Sequence, residues 1–411
     1  MLIVGFMAEG WLLPNSDQSS TVHSISEEIS SVPTTQTASL MLGKFDTNST
    51  FFARNATNGD YVVLSADSQM VLQNSLNLLN GNGVLELSSG IWDTSGLYVT
   101  NEGGVTDVSQ QCLVIKGQGE FSTILNLVPN SVGAGSEKSV IYAESHDSTG
   151  IRLVVEDIGI HGNRLNQFQN IAGITVSLGR NCVVKDCFIQ NVSRWGIKFA
   201  EPNTVYRENV IQNNDIYDVF SYNNAYPVNP AVDCVGINLL DTADCYVYNN
   251  RIGWVGYFDD GAGVWHSYGY GVLLGDSNQF IENTVWAVGV GVCLPDSAKN
   301  QQVQNNFLDF CYQIGIYMIK TEFASVTDNK IRCPLDEGIK VTNSSYNHVV
   351  GNEVSNMAGL GIDSTATVFI NECNGSDYNT FSDNSLYHTG VVSWTEKNIT
   401  GLHSVDSNNN Y

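Results

Sequence analysis

Val303-Gln-Asn-Asn-Phe-Leu308 returns 23 residues later as Val326-Thr-Asp-Asn-Lys-Ile331, and Val247-Tyr-Asn-Asn-Arg-Ile252 precedes both. The shared frame is an aliphatic residue, a polar pair ending in Asn, and a second aliphatic two places after that Asn. The Asn recurs at Asn214, Asn250, Asn283, Asn306, Asn329, Asn352 and Asn384, with Ile158 and Cys187 in the same slot at the start. Each unit opens on a Gly followed by an aliphatic residue: Gly173, Gly196, Gly236, Gly271, Gly315, Gly338 and Gly361. Successive members from Asn283 to Asn352, and from Gly315 to Gly361, stand 23 apart. A fixed period of this length marks a solenoid before any local structure is assigned.

The content of a unit selects the kind of solenoid. Its segments are short, β-rich and bounded by Asn, Asp, Ser and Gly, which leaves no room for a helix of about ten residues. Three short strands and three turns fit, and stacking places each strand parallel to its copy roughly 4.8 Å away. The recurrent Asn then forms a side-chain ladder that also satisfies turn backbone. The Gly suits a turn with positive φ or tight packing.

This pattern resembles the right-handed parallel β-helix of the pectate-lyase-like superfamily, which includes many phage tailspikes, over residues 110–390. The resemblance implies an all-β solenoid of about ten coils. It implies no single activity, because the fold hosts many.

Residues 1–13 are apolar but too short to span a bilayer. They read as a remnant signal, a membrane-contacting tip or a segment docking onto another protein; with the Ser/Thr-rich stretch that follows, residues 1–44 read as a flexible arm, and no transmembrane segment is expected. Residues 45–110 read as an N-terminal cap. Leu72, Leu76 and Leu79 have helical spacing in Ser68–Asn80, opened by a Ser cap and stopped by Gly81-Asn-Gly83. Val84–Leu87 is the first strand, and the cap covers an otherwise bare first coil. Gly117-x-Gly119 is no nucleotide loop, since no βαβ unit surrounds it. Residues 111–403 form the β-helix, and the polar tail from Ser404 is expected to fray.

Composition narrows the function. Acidic residues number 42 against 18 basic, a net charge of −24, which repels nucleic acid. It also repels anionic polysaccharide unless Ca²⁺ bridges the charges, so a neutral glycan is the expected ligand and no other cofactor is expected. The nine cysteines show no zinc spacing and are expected as buried free thiols. Six sequons agree with a secreted life.

Departures from the repeat carry the functional signal. The ladder residue ordinarily precedes the next Gly by nine, but Asn214 to Gly236 is 22, Asn250 to Gly271 is 21 and Ile158 to Gly173 is 15. These insertions should leave one edge, and two of them lie on successive coils. The first, Tyr217–Val235, holds Asp218, Tyr222, Tyr226 and Asp233; the second, Gly253–Tyr270, holds Trp254, Asp259, Asp260, Trp265, His266, Tyr268 and Tyr270. Flat rings beside carboxylates are what a sugar site needs. Tyr222, Tyr226, Trp254, Trp265, His266, Tyr268 and Tyr270 are therefore the candidate substrate-binding residues.

Glycoside hydrolysis requires two carboxyls about 5 to 9 Å apart, and the candidates are Asp259, Asp260 and Asp233. Asp259-Asp260 resembles the paired Asp of polygalacturonase-type β-helix hydrolases, whose other marks are missing here. Elimination chemistry is disfavoured because the two large loops carry no Arg or Lys; Arg164, on the smaller insertion, is the one cation placed to reach the rim. Glu201, Asp241, Asp276 and Asp296 recur after the coil Gly, as Ca²⁺ ligands or, more simply, as turn residues. A further insertion, Ala366–Asp377, is expected on a different edge. The leading expectation is an extracellular, virion- or cell-surface protein that binds polysaccharide or surface glycan through these loops. A polysaccharide hydrolase and a purely structural surface component are the alternatives.

Overall fold

The computed structural model describes residues 39–45, 49–101, 112–145, 150–200, 208–220, 234–259, 265–296, 298–334, 336–357, 368–389 and 395–409. All belong to one compact unit, Thr37–Tyr411. The expected all-β parallel β-helix with an N-terminal capping helix is what the chain forms. One coil supplies strands Val183–Lys185, Phe188–Val192 and Trp195–Ala200, and the next supplies Val210–Gln212, Asp215–Val219 and Val235–Leu239. They pair parallel and in register: Val184 with Ile211, Ile189 with Ile216, Ile197 with Ile237. The first strands make a 15-stranded sheet, and the second and third make one continuous sheet of 20.

The polar pair of the repeat has a division of labour. Its first member turns the chain: Asp157, Asp186, Asn213, Asn249, Glu282, Asn305, Asp328 and Asp383 all lie at φ 53–59°, which Asn and Asp adopt at the least cost. Its second member points inward and bonds the next rung. Asn214, Asn250, Asn283, Asn306, Asn329, Asn352 and Asn384 each donate Nδ2–H to the Oδ1 of the next Asn over 2.9–3.2 Å, the last reaching Asn409. A second ladder runs up another corner through Asn209, Asn278, Asn347 and Asn379, all buried, with Cys182, Cys245 and Ala324 donating backbone N–H to its members.

The coil glycines are set by packing, since none of them has positive φ. A Cβ on Gly173, Gly196, Gly236, Gly271, Gly291, Gly315 or Gly338 would meet a carbonyl oxygen of the next rung at 2.5–2.6 Å. The last of these carbonyls belongs to Phe369, and Glu337 pairs with Val368. Phe369, not Gly361, therefore holds the slot in that coil. The insertion is residues 358–367, between strands Glu353–Met357 and Val368–Cys373. This overturns the expectation of a different edge, because the insertion opens between a second and a third strand, as the earlier ones do.

At the N-terminal end, strands Leu40–Lys44, Phe51–Asn55 and Tyr61–Ser65 form an antiparallel meander, and helix Ser68–Leu79 packs Val71, Leu72 and Leu76 into the core. The helix cap is Asp67, which accepts from Gln69 N–H, not Ser68. Ordered structure begins before residue 45: Leu40 and Leu42 are buried and belong to the cap. The remainder of the expected arm lies outside the described residues. The polar stretch from Ser404 adds one more strand, Val405–Ser407, parallel to Thr380–Ser382. All nine cysteines are free thiols and eight are buried, so the thiol expectation holds. No described helix is long and apolar enough to cross a membrane.

Candidate functional site

The corner between second and third strands carries the insertions. The two long loops leave at Val219 and Val255, which are register partners, and return at Val235 and Tyr270, which are partners as well. Backbone bonds close both ends, Gly256 N to Val219 O at 2.9 Å and Tyr270 N to Cys234 O at 2.9 Å. The described ends of the two loops are thus neighbours on one edge, as their spacing predicts. Within the second, Tyr257–Asp259 and Trp265–Ser267 form an antiparallel hairpin that sets Asp259 opposite Trp265 and Phe258 opposite His266. Ser267 Oγ anchors it on Val255 O at 2.6 Å. Tyr268 packs against the main core and Tyr270 against a second apolar cluster, so both are half-buried anchors of the returning chain. Burial pushes the Tyr270 phenol up to about 12. Asp233, Asp260, Tyr222 and Tyr226 lie outside the described residues.

Trp254 stands at the corner itself, 54% exposed and at φ 57°. A left-handed backbone costs a bulky residue about 1 kcal/mol. Asn191 and Asp218, at the matching positions of the two preceding rungs, share that conformation. Arg164 reaches Asp218 from the smaller insertion, Nη2 to Oδ1 2.8 Å. Beside them His161 is held between Asn126 Oδ1 (3.2 Å from Nδ1) and Asn191 Nδ2 (3.1 Å from Nε2), a polar rung-to-rung chain. Burial lowers the His161 pKa, partly opposed by the Asp218 charge, which favours the neutral ring.

The outer face of the second strands holds a feature that sequence spacing did not reveal. Phe121, Phe188, Tyr217 and Trp286 form a continuous row of rings, with centroids 5.0, 5.6 and 5.2 Å apart. Tyr217 and Trp286 lie two rungs apart, roughly 9.6 Å of strand spacing. They touch because the residue between them is Gly253, where a Cβ would come within 2.5 Å of the Trp286 ring. The Trp286 ring leans over that glycine. Gly253→Val should therefore push Trp286 off the row, at a stability cost of about 1–3 kcal/mol. A thermal melt together with the Trp286 indole resonance checks this.

Charged groups edge the row. Arg251 Nη1 bonds Asp215 Oδ2 at 3.2 Å and its guanidinium lies 5.8 Å from the Trp286 centroid. Burial raises the Asp215 pKa although Arg251 opposes it. Burial, followed by the charges of Asp215 and Asp186, raises Glu120. Burial, then the Asp215 charge, raises the Tyr217 phenol. Half-buried carboxyls whose affinity for a proton is raised, beside a row of rings, are the kind of group that can exchange hydrogen bonds with a polyol.

Of the acidic residues that recur after the coil Gly, Asp276 accepts from Lys299 N–H of the next rung at 2.8 Å and Asp296 pairs with Lys320 at 2.7 Å, while Glu201 lies outside the described residues. Among the described residues no group of three or more His, Cys, Asp or Glu is placed to hold a metal.

The fold and corner define a parallel β-helix protein with an aromatic wall beside a loop-bearing edge. Residues 233–406, under half of the chain, match the family described as periplasmic copper-binding protein (NosD). The described residues do not suit copper: no three His, Cys, Asp or Glu among them converge on one point, and burial pushes the Cys293 thiol up to about 12. Among solved structures, the chain is similar to the A-module of Azotobacter vinelandii mannuronan C-5 epimerase AlgE6, with 14% identity, a TM-score of 0.57 and coverage of 84% of this chain and 95% of that one. It is also similar to the catalytic unit of a GH87 α-1,3-glucanase from Streptomyces thermodiastaticus (15%, 0.52, 84% and 66%). A third is the tailspike of E. coli bacteriophage HK620 in complex with a pentasaccharide (14%, 0.53), where the chain covers 84% of itself and spans 61% of that protein. At these identities the likeness is one of fold. No curated protein matches the chain.

Proposed function

We propose that the protein binds polysaccharide along this corner, outside the cytoplasm. The wall Phe188–Tyr217–Trp286 is the contact surface, and Trp254 and the two long loops form its bank. The ring row carries the proposal: half-exposed aromatic faces running along the helix axis cover the apolar faces of successive sugars, and Asp215 and Arg251 bond hydroxyls at the edge. Three solved structures that share the fold are described as acting on or holding saccharides, which supports the reading. Tyr222, Tyr226, Trp265 and His266 would complete the bank from the loops.

Trp286→Ala should weaken oligosaccharide binding by about 2 kcal/mol, roughly thirtyfold in Kd. Isothermal titration against a glycan panel, with and without Ca²⁺, measures it. An unchanged Kd in Trp286→Ala and Tyr217→Ala would remove the wall from the account. The raised Asp215 carboxyl favours a second reading, hydrolysis of the bound chain, with Asp215 or the loop acids Asp259, Asp260 and Asp233 supplying the acid. Reducing-end release that survives in all four Asp→Asn variants would exclude that assignment.

A further inference from the structure

The opposite flank of the same corner, where the third strands begin, gathers a different chemistry. Arg194, Trp195 and Lys198 share one rung, and Glu137 reaches them from a turn two rungs earlier. The Arg194 guanidinium lies 3.8 Å from the Trp195 ring centroid and the Lys198 ammonium 4.0 Å from it. Glu137 bonds both cations, at 3.0 Å to Arg194 Nη1 and 3.2 Å to Lys198 Nζ. Lys198 is 8% exposed and Trp195 3%. The Trp195 Nε1–H has no hydrogen-bond partner.

Two accounts of this cluster compete. As a brace it would tie three rungs together, and Glu137 would be its natural end point. A brace does not explain the imbalance. Two cations share one carboxylate, and guanidinium, ammonium and indole offer far more donors than two carboxylate oxygens accept. An orphaned buried donor costs about 1–3 kcal/mol. Glu144, on the same face, does not redress this, because the hydroxyls of Tyr98 and Tyr142 occupy it. In a chain of net charge −24, two cations gathered on one carboxylate beside an orphaned indole N–H are a local exception. It lies at the foot of the first long loop, since Trp195 pairs with Val235 where that loop returns.

We infer that this cluster is an anion site. The carboxylate of an acidic sugar residue joins or displaces Glu137 on Arg194 and Lys198 and accepts the Trp195 indole N–H. The inference rests on the polysaccharide reading of the corner and changes its ligand class: overall charge favours a neutral glycan, whereas this flank favours an acidic one. The cations come from strands beside the corner and not from the loops, which is why their scarcity in the loops did not reveal them.

The test is a calorimetric comparison, on the full chain, of oligouronates (galacturonate, glucuronate and mannuronate) with their carboxyl-reduced neutral counterparts. At least one uronate should bind about tenfold tighter than its neutral counterpart, the worth of one charge-assisted bond. Lys198→Gln should collapse that ratio, and Glu137→Gln should raise it by removing the competing carboxylate. The Trp195 indole proton, assigned by its loss in Trp195→Phe, should move downfield when the uronate binds. Equal binding of acidic and neutral chains, or a ratio that Glu137→Gln leaves unmoved, overturns the anion site and leaves the wall in place. Binding of neither kind of chain overturns the polysaccharide reading itself.

Discussion

Glu372→Ala should release the last coil. Glu372 pairs with Val341, so it occupies a position that points into the core, and it is fully buried. Its two oxygens divide four donors between them. Oε1 accepts from Asn379 Nδ2 at 2.8 Å and Ser404 Oγ at 2.6 Å; Oε2 accepts from Thr400 N at 3.1 Å and Gly401 N at 2.8 Å. Hydrogen bonds to a charged group contribute about 1.5–3 kcal/mol each, and donors left buried without a partner cost nearly as much. Allowing for some relaxation, the loss is about 4 kcal/mol or more. It should be local, because these donors come from residues 379–404 alone. Hydrogen exchange at 400–409 should accelerate by about two to three orders of magnitude, as an opening energy of that size requires. Glu372→Gln is the informative control. It keeps volume and one acceptor but turns an amide nitrogen toward one pair of donors, so it should cost more than half as much as Ala. Unchanged exchange in both variants would show that the carboxylate does not hold the coil.

Asn329→Ala should act on the middle of the body. Asn329 Oδ1 accepts from both the backbone N–H and the Nδ2 of Asn306, at 3.0 and 2.9 Å. Its Nδ2 donates to Val303 O at 2.8 Å and Asn352 Oδ1 at 2.9 Å. Truncation orphans polar groups on both neighbouring rungs in a region with no water access, at about 3 kcal/mol or more. An exposed polar residue such as Lys330→Ala should cost under about 0.5 kcal/mol. Urea unfolding of the two variants gives the comparison, and equal midpoints would mean that the ladder follows the coil without stabilising it.

These features were unequally legible in the sequence. The main ladder could be read because one residue type fills one slot at a constant interval. The second ladder could not, because Cys182, Ala324 and Gln301 interrupt its asparagines and any buried residue whose backbone N–H is accepted will serve there. Glu372 breaks the apolar alternation at a point where a single acidic residue gives no sign that four donors converge on it. Gly361-Ile362 imitates the coil glycine, and only the strand register shows that Phe369 holds that place.

The site divides in the same manner. The shared edge of the long loops followed from arithmetic on insertions, since a solenoid turns extra length into a bulge at fixed phase. The wall did not follow from it. Tyr217 and Trp286 are 69 residues apart, and two overlong loops between them hide their alignment. Their contact also depends on what Gly253 lacks. Tyr268 and Tyr270, read from composition as sugar contacts, sit where the chain rejoins the body and are half-covered by apolar neighbours. Aromatic content marks such a segment without saying which rings face outward.

The most direct test of the account is a crystal structure of the protein with a bound oligosaccharide taken from the titration panel. The account predicts sugar rings on Tyr217 and Trp286, following the helix axis beneath the two long loops. Sugar density instead on Phe323, Tyr346 and Tyr378, whose rings stack with centroids 5.4 and 5.1 Å apart, with the Trp286 wall bare, would contradict it.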